Sequence, residues 1–401
     1  MVNEVRFEKL IFGGEALART DGRVLLAPYA LPGELARVTG LSEKRDMVRG
    51  RVGEILEPSP ERITPRCPYF GRCGGCQYQH ASETYQSRQK VEILREVLRR
   101  IGKLEPPAAI GLIVGPPWNY RNRIQLHFDG GWIGFREQGS HKVVGIEHCD
   151  VASPRLNEAV GVLREMMGDR RWPRFLRSME LFTNEREVQL NVLDSGGRHL
   201  SRSFFEWCAE RLPGAMSAAL SYPAAGSVFR VSHKSFFQVN RFLTDRLVDL
   251  ALESAGGETA LDLYAGVGLF TVPLGRRFRH VTAIEAVASA VHDLEYNARA
   301  LSGTVTAVRS TTESYLERLS EAPEFVLADP PRAGLGRDAT RHLNRLKPKR
   351  LTVISCDPST LARDLAELCT GGYAIVEMTL VDMFPQTAQI ETVVKLARQG
   401  F

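Results

Sequence analysis

Residues 260–270 read ALDLYAGVGLF, and the fold turns on this stretch. An apolar strand carrying Asp262 runs into a glycine-rich turn and then into the start of a helix, the arrangement of a nucleotide-binding strand–turn–helix. Gly266 and Gly268 let backbone approach a ligand. The third glycine of a dinucleotide fingerprint is absent, Thr271 standing in its place. Glu285 ends the next apolar run, VTAIE at 281–285, seventeen residues after Gly268. A carboxylate there can accept hydrogen bonds from ribose hydroxyls, and NAD is the alternative ligand for such a turn.

Downstream, strands and helices alternate. FVLADPPRAGLG at 325–336 reads as a buried strand leaving through a rigid Asp329-Pro330-Pro331 turn. LTVISCDP at 351–358 is another buried strand, with Cys356 where it emerges, Pro358 ending it and Ser359 available to cap a helix beginning near Thr360. Residues 374–396 supply two strands flanking FPQTAQIE, with Glu391 at the start of the last. Ligands of open α/β sheets sit beyond the carboxyl ends of the strands, so Cys356 and Asp329 would face a substrate. A strand ending in Asp, a GxG turn and a second-strand Glu together resemble the class I S-adenosylmethionine methyltransferases. The expected fold class is therefore α/β, Rossmann-like, over 231–401. An aromatic residue follows the prolines in the amino-group methyltransferases; Arg332 does so here, which argues against methylation of an exocyclic amine.

Upstream, residues 4–57 alternate apolar and polar in five short runs punctuated by Gly13-Gly14, Asp21-Gly22 and Pro32-Gly33, as in a small β-barrel. Lys44, Arg45, Arg49 and Arg51 cluster near its end, either as a solvated face or as an edge following a phosphate backbone. The segment 1–58 resembles the TRAM domain, an RNA-binding barrel of the OB-like kind. After the linker PSPERITP (58–65) come Cys67, Cys73 and Cys76 in a C-x5-C-x2-C run with Gly71, Gly74 and Gly75, and Cys149 is a candidate fourth thiol. Four thiolates suit tetrahedral zinc or an iron–sulfur cluster. Residues 81–101 read as an amphipathic helix, stopped by Gly102, that packs on the catalytic unit; Arg88, Lys90, Arg95, Arg99 and Arg100 read as its solvated side. Further strands and helices near 154–167 and 201–211 make 59–230 a central α+β unit holding the metal cluster. Trp118, Phe128, Trp132 and Phe135 beside Arg121, Arg123 and Arg136 are either base-stacking residues or core. HKSFFQVN at 233–240 leads into an apolar helix over 241–253.

Composition bounds the class. With 43% hydrophobic and 25% charged residues the chain is an ordinary globular one. No apolar run approaches the roughly 18 residues of a membrane span. The seven cysteines are odd in number and unevenly placed, which argues against a secreted disulfide framework, so a cytoplasmic protein with no membrane partner is expected; a monomer is the expected state. A net charge of +5 permits a polyanionic partner without demanding one.

FFQVN, LDLYAGVG, ADPPRAG, ISCDPSTLARDL and FPQTAQIE together resemble the RNA uracil-5-methyltransferases, and the likeness covers nearly the whole chain. It implies S-adenosylmethionine as methyl donor, Cys356 as nucleophile and Glu391 as the base. It implies donor or base contacts for Gln238, Tyr264, Gly266, Gly268, Glu285 and Asp329. It also implies a [4Fe-4S] cluster on Cys67, Cys73, Cys76 and Cys149, in a branch that methylates 23S ribosomal RNA; transfer RNA is the alternative substrate. Family members commonly carry histidine where Gln389 stands, and often where Gln386 does. The competing readings are an RNA cytosine-5-methyltransferase, which would offer proline–cysteine instead, and an RNA-binding iron–sulfur protein with an inert methyltransferase domain.

Overall fold

The computed structural model describes residues 3–20, 22–44 and 47–398; Asp21, Arg45 and the side chain of Lys44 lie outside the described set. The first five strands, Asn3–Leu10, Glu15–Thr20, Arg23–Pro28, Leu35–Lys44 and Met47–Glu57, close into a barrel. Inward positions are small, with Ala16, Ala18, Ala27 and Ala36 fully buried around Phe7 and Leu25, because a five-stranded barrel has little interior to fill. Outside, Arg6, Arg19, Arg23, Arg37 and Arg49 each pair with a glutamate, so Arg49 of the expected basic cluster is bound to Glu15. The linker is pinned to the barrel by buried Glu34. Its carboxylate takes Nε of Arg62 at 2.5 Å and the Leu31 and Ser59 amides at 2.7 and 3.1 Å. Burial alone would raise this carboxyl, but these donors outweigh it and hold it below the ordinary range.

The central unit is a six-stranded sheet built mainly from Arg123–Asp129, Trp132–Arg136, Ser178–Thr183 and Val188–Asp194. Helices Pro154–Met167 and Arg202–Arg211 cover one face, where Ile124, Leu126, Phe128 and Ile133 pack against Leu156, Leu163, Phe204 and Trp207. Strict alternation along Arg123–Asp129 leaves Gln125, His127 and Asp129 on the opposite face.

The catalytic layer is an eight-stranded sheet. Its order is Val305–Arg309, Phe278–Glu285, Gly257–Leu263, Phe325–Ala328, Arg350–Ser355, Glu391–Arg398, Tyr373–Val381 and Gly111–Ile113. Glu391–Arg398 runs antiparallel to both neighbours. Two segments on the central side of the expected boundary at 230 belong to this layer by packing. Strand Gly111–Ile113 pairs with Tyr373–Val381, and the hairpin Leu220–Ala224/Ser227–Val231 joins the core of Leu247, Phe270 and Leu274. The apolar helix after it is shorter than expected, Thr244–Ala251, because the Asn240 side chain accepts from the Phe242 and Leu243 amides and forms a turn ahead of it.

The helix expected over 81–101 is Glu83–Val97, continued by a π-turn at Leu98–Gly102, and it packs on the catalytic layer as expected. Leu94 and Leu98 meet Leu361, Ala362 and Leu365, and a Cβ on Gly102 would stand 2.8 Å from the Ala362 carbonyl oxygen. Lys90 is not on a solvated side. Its side chain is 0% exposed, with Nζ 2.7 Å from Oδ1 of Asp382 and 2.9 Å from the Phe384 carbonyl. Removing one partner of a buried pair strands the other charge, which typically costs about 3–5 kcal/mol. Lys90→Met should therefore lower stability in chemical unfolding by about that amount, whereas loss of the exposed Arg99–Glu105 pair should leave the unfolding midpoint nearly unchanged.

Candidate active site

Parallel strands deliver their last residues to one edge of the sheet, and four neighbouring strands here place Tyr264, Glu285, Asp329 and Cys356 there. Glu391 reaches the same edge for the opposite reason. Its strand is reversed, pairing Ser355 with Thr392 and Val381 with Glu391, so its first residue lies where its neighbours end.

The glycine turn begins at Tyr264, which has φ +61°, and continues through Gly266 at +55° and Gly268 at +93°. The two glycines do different work. No atom lies within 4 Å of a Cβ built on Gly266, so that face is open, while one on Gly268 would stand 2.7 Å from Cδ1 of Leu294. On its Cβ side Gly268 therefore serves the close packing of the helix Ala288–Ala298. Glu285 braces the turn, accepting the Gly266 amide at 2.9 Å and the Val287 amide at 2.7 Å. Thr271 hydrogen-bonds Oδ2 of buried Asp262, which explains a hydroxyl where a dinucleotide site has glycine. Burial lifts the Asp262 carboxyl to about 7, with Asp329 and Glu285 adding to the rise and Thr271 opposing it.

Asp329, Glu391 and Cys356 line one pocket, Glu391 buried and the other two half-buried. Burial raises Asp329 to about 7, and burial followed by the charge of Asp329 carries Glu391 well above the ordinary carboxylate range. Burial, then Glu391 and Asp329, push the Cys356 thiol up to about 11, with Arg332 pulling the other way. Nε2 of Gln238 lies 3.3 Å from Oδ2 of Asp329. Arg332 is steadied by Gln389, whose Oε1 accepts from it at 3.2 Å. Gln386 instead faces the amphipathic helix, exchanging hydrogen bonds with Gln86 at 2.9 and 3.0 Å. Asp357, not Ser359, caps the following helix. Its carboxylate accepts the Ser359 and Thr360 amides, and the helix begins at Pro358, because aspartate at that position reaches both orphan amides.

One cavity of about 1130 Å³ joins this pocket to the cysteine loop. Cys356, Glu391, Asp329, Gln238, Tyr264, Gly266 and Glu285 line it, and so do Cys67, Cys73, Cys76 and Cys149. Burial pushes the Cys76 thiol up to about 12 and Cys149 to about 11, each thiol's rise including the charges of other cysteines; Cys67 and Cys73 are raised too. All seven thiols are free, and among the described residues no group of three or more His, Cys, Asp or Glu side chains is arranged to hold a metal ion. The cysteine loop is stitched to the central sheet by the Gly74 amide, which donates to the Arg136 carbonyl at 3.0 Å.

The aromatic and basic residues of the central unit separate cleanly. Phe128 is core and Arg123 is buried over the Phe182 ring. Trp118 donates to Glu83 at 3.1 Å, and Trp132 alone of the four aromatics is largely exposed. Residues that hold the site without marking themselves in the sequence are Gln86, Lys90, Asn240 and Asp382. Their partners lie far away in the chain, so no local pattern reports them.

Strand order, glycine turn and second-strand acid define a class I S-adenosylmethionine-dependent methyltransferase. A family model described as tRNA (uracil-5-)-methyltransferase matches residues 217–399. The chain is 35% identical over 416 residues to the 23S rRNA (uracil(1939)-C(5))-methyltransferase RlmD of Cronobacter sakazakii, covering 96% of this chain and 94% of that one. It is 32% identical over 423 residues to an uncharacterized RNA methyltransferase of Aquifex aeolicus, covering 97% of each. The crystal structure of the Pyrococcus abyssi tRNA (uracil-54, C5)-methyltransferase in complex with S-adenosyl-L-homocysteine superposes with a TM-score of 0.78 and 25% identity, covering 98% of this chain and 99% of that one. The chain belongs to the RNA uracil-5-methyltransferase family and is an S-adenosylmethionine-dependent enzyme of that class.

The thiol's raised pKa has a direct consequence. Cys356 is protonated at neutral pH, and removing a neighbouring negative charge should make it easier to ionise. Alkylation of the Cys356 peptide by iodoacetamide, followed by mass spectrometry, should be slow at pH 7 and rise toward pH 11 in the wild type. In Glu391→Gln the whole profile should move to lower pH.

Proposed function

We propose that this enzyme transfers a methyl group to carbon 5 of a uridine in 23S ribosomal RNA through a covalent adduct of Cys356 with the base. The observation that carries it is the convergence of one thiol and two desolvated carboxyls at adjoining strand ends. Carbon 5 of uracil is too weak a nucleophile to attack a sulfonium methyl directly. When Sγ of Cys356 bonds to carbon 6, the S–H bond breaks with its proton passing to solvent in the cavity, and the ring's double-bond electrons move toward the carbonyl at carbon 4. Carbon 5 then carries the nucleophilic electron pair.

S-adenosylmethionine, when bound, supplies the methyl group. The open face of Gly266 and the carboxylate of Glu285 would hold it, with Tyr264 and Gln238 bordering the same space. After transfer, the Glu391 carboxylate takes the proton from carbon 5. The released electron pair restores the 5,6 double bond as sulfur departs with its own pair. A carboxylate whose pKa is lifted by burial is a stronger base near neutral pH than an exposed one. Asp329, held by Gln238, orients the polar edge of the base.

The four cavity-lining cysteines suit a [4Fe-4S] cluster in the chemistry of their donors. Burial raises all four thiols, a cost that a cationic cluster taking them as thiolates would reverse. Cys67, Cys73 and Cys76 would then be tied to Cys149, holding the loop against the central sheet. The 23S assignment follows relatives similar along nearly their full length, and the fold neighbour that acts on transfer RNA makes that RNA the alternative.

Two experiments test this reading. RNA containing 5-fluorouridine should trap a denaturation-stable protein–RNA adduct in the presence of the donor. Cys356→Ala should form none, and Glu391→Gln should accumulate adduct on ordinary RNA with turnover lowered by roughly 10²-fold or more. An adduct undiminished in Cys356→Ala removes the mechanism. For the cluster, protein purified without air should contain iron and sulfide with broad absorbance near 400 nm. Cys76→Ser should lose both; stoichiometric zinc instead would rule the cluster out.

A further inference from the structure

The open face of the central sheet has no part in the chemistry above, yet it continues directly from the cavity wall. Gln125, His127 and Arg136 line the cavity. Cross-strand pairing sets His127 opposite Gly134 and Asp129 opposite Trp132, so Gln125, His127, Asp129, Trp132 and Arg136 share one face. Trp132 is 65% exposed although it sits within a strand, the kind of position where a large apolar ring marks a contact surface. Its ring is seated, not loose. A Cβ on Gly145 of the next strand would stand 2.4 Å from Cε3 of the indole, so the ring lies against bare backbone that only glycine provides. Arg136, exposed, is held by Nδ1 of His141 at 2.6 Å.

We propose that the Trp132 indole is a stacking platform for an unpaired base of the substrate RNA near the target uridine, with Arg136 meeting the intervening phosphate. The proposal rests on the RNA reading of the active site and extends it to a second contact. Trp132 and Arg136 are four residue steps apart, about 13 Å along the strand, so an RNA strand leaving the cavity past Arg136 runs onto the indole. A seated aromatic ring beside a cation is the arrangement that binds unstacked bases without reading their identity. Asp129, opposite Trp132, repels phosphate there and leaves the ring to a base. Continuity with the cavity, and the cation of Arg136 placed between cavity and ring, favour RNA over a protein partner for this face.

The test separates the platform from the chemistry. For unmodified 23S transcript, Trp132→Ala should raise KM about tenfold with kcat unchanged, and Trp132→Phe should recover most of the loss. A short single-stranded uridine RNA should quench the wild-type tryptophan fluorescence, and Trp132→Phe should abolish that quenching. Removing one base at successive positions beside the target should weaken the wild type at one position and leave Trp132→Ala indifferent there. If KM and quenching do not change while the 5-fluorouridine adduct still forms, the platform is wrong and the chemistry stands. If the wild type forms no adduct, both fall. RNA binding unchanged but oligomeric state altered in Trp132→Ala would give the face to a protein contact and overturn the proposal.

Discussion

The site depends on setting three acidic groups, half-buried Cys356 and Asp329 and buried Glu391, beside one another where little water reaches them. Desolvation penalises every charged form, and each negative neighbour adds to the penalty. Each group therefore holds a proton more tightly than it would in water, which suits a carboxylate that must take one from carbon. The same groups on an exposed loop would be an ordinary thiol and two ordinary carboxylates, and neither the order nor the direction of proton movement would be built in.

Such a pocket holds only if its walls do not open, and much of the molecule serves that end. The loop between the last two strands, 382–390, carries no regular structure but is clamped from several sides. Lys90 grips Asp382 and the Phe384 carbonyl, Asn240 donates to the Met383 carbonyl, and Tyr120 donates to the Pro385 carbonyl. Gln86 and Gln386 exchange hydrogen bonds, and Gln77 supports Ala388. The amphipathic helix, the FFQVN turn and the cysteine loop thus converge on the segment that leads into Glu391. At 386 the side-chain Oε1 of glutamine accepts from Nε2 of Gln86, while the backbone amide of Gln386 donates to Oε1 of Gln86. Gln389 takes up Arg332, the residue that moderates the thiol.

The central unit contributes a wall as well as thiols. Its helices cover one face of its sheet, and the opposite face turns toward the cavity. Alternation along Arg123–Asp129 is what sorts the two, sending Ile124, Leu126 and Phe128 inward and Gln125 and His127 outward. Sequence reasoning left Phe128 and Trp132 equivalent, because both are aromatics near arginines. Strand register separates them, burying the first and exposing the second.

Local chemistry was enough, in the sequence alone, to read the alternating strands and helices, the glycine turn, the five-stranded barrel and a thiol at a strand end, while the roles of Cys356 and Glu391 came from the family resemblance. The local features are written in neighbouring residues, as apolar periodicity, a turn that needs positive φ or a reactive side chain at a strand end. Tertiary structure decided what contacts distant in sequence decide. It made Lys90 a buried ion-pair partner and not a surface charge. It drew 111–113 and 220–231 into the catalytic layer, and it assigned the helix cap to Asp357 over Ser359. A side chain's burial, and with it the proton affinity of its acid or thiol, depends on what the rest of the chain packs around it, and that is not recorded at its own position.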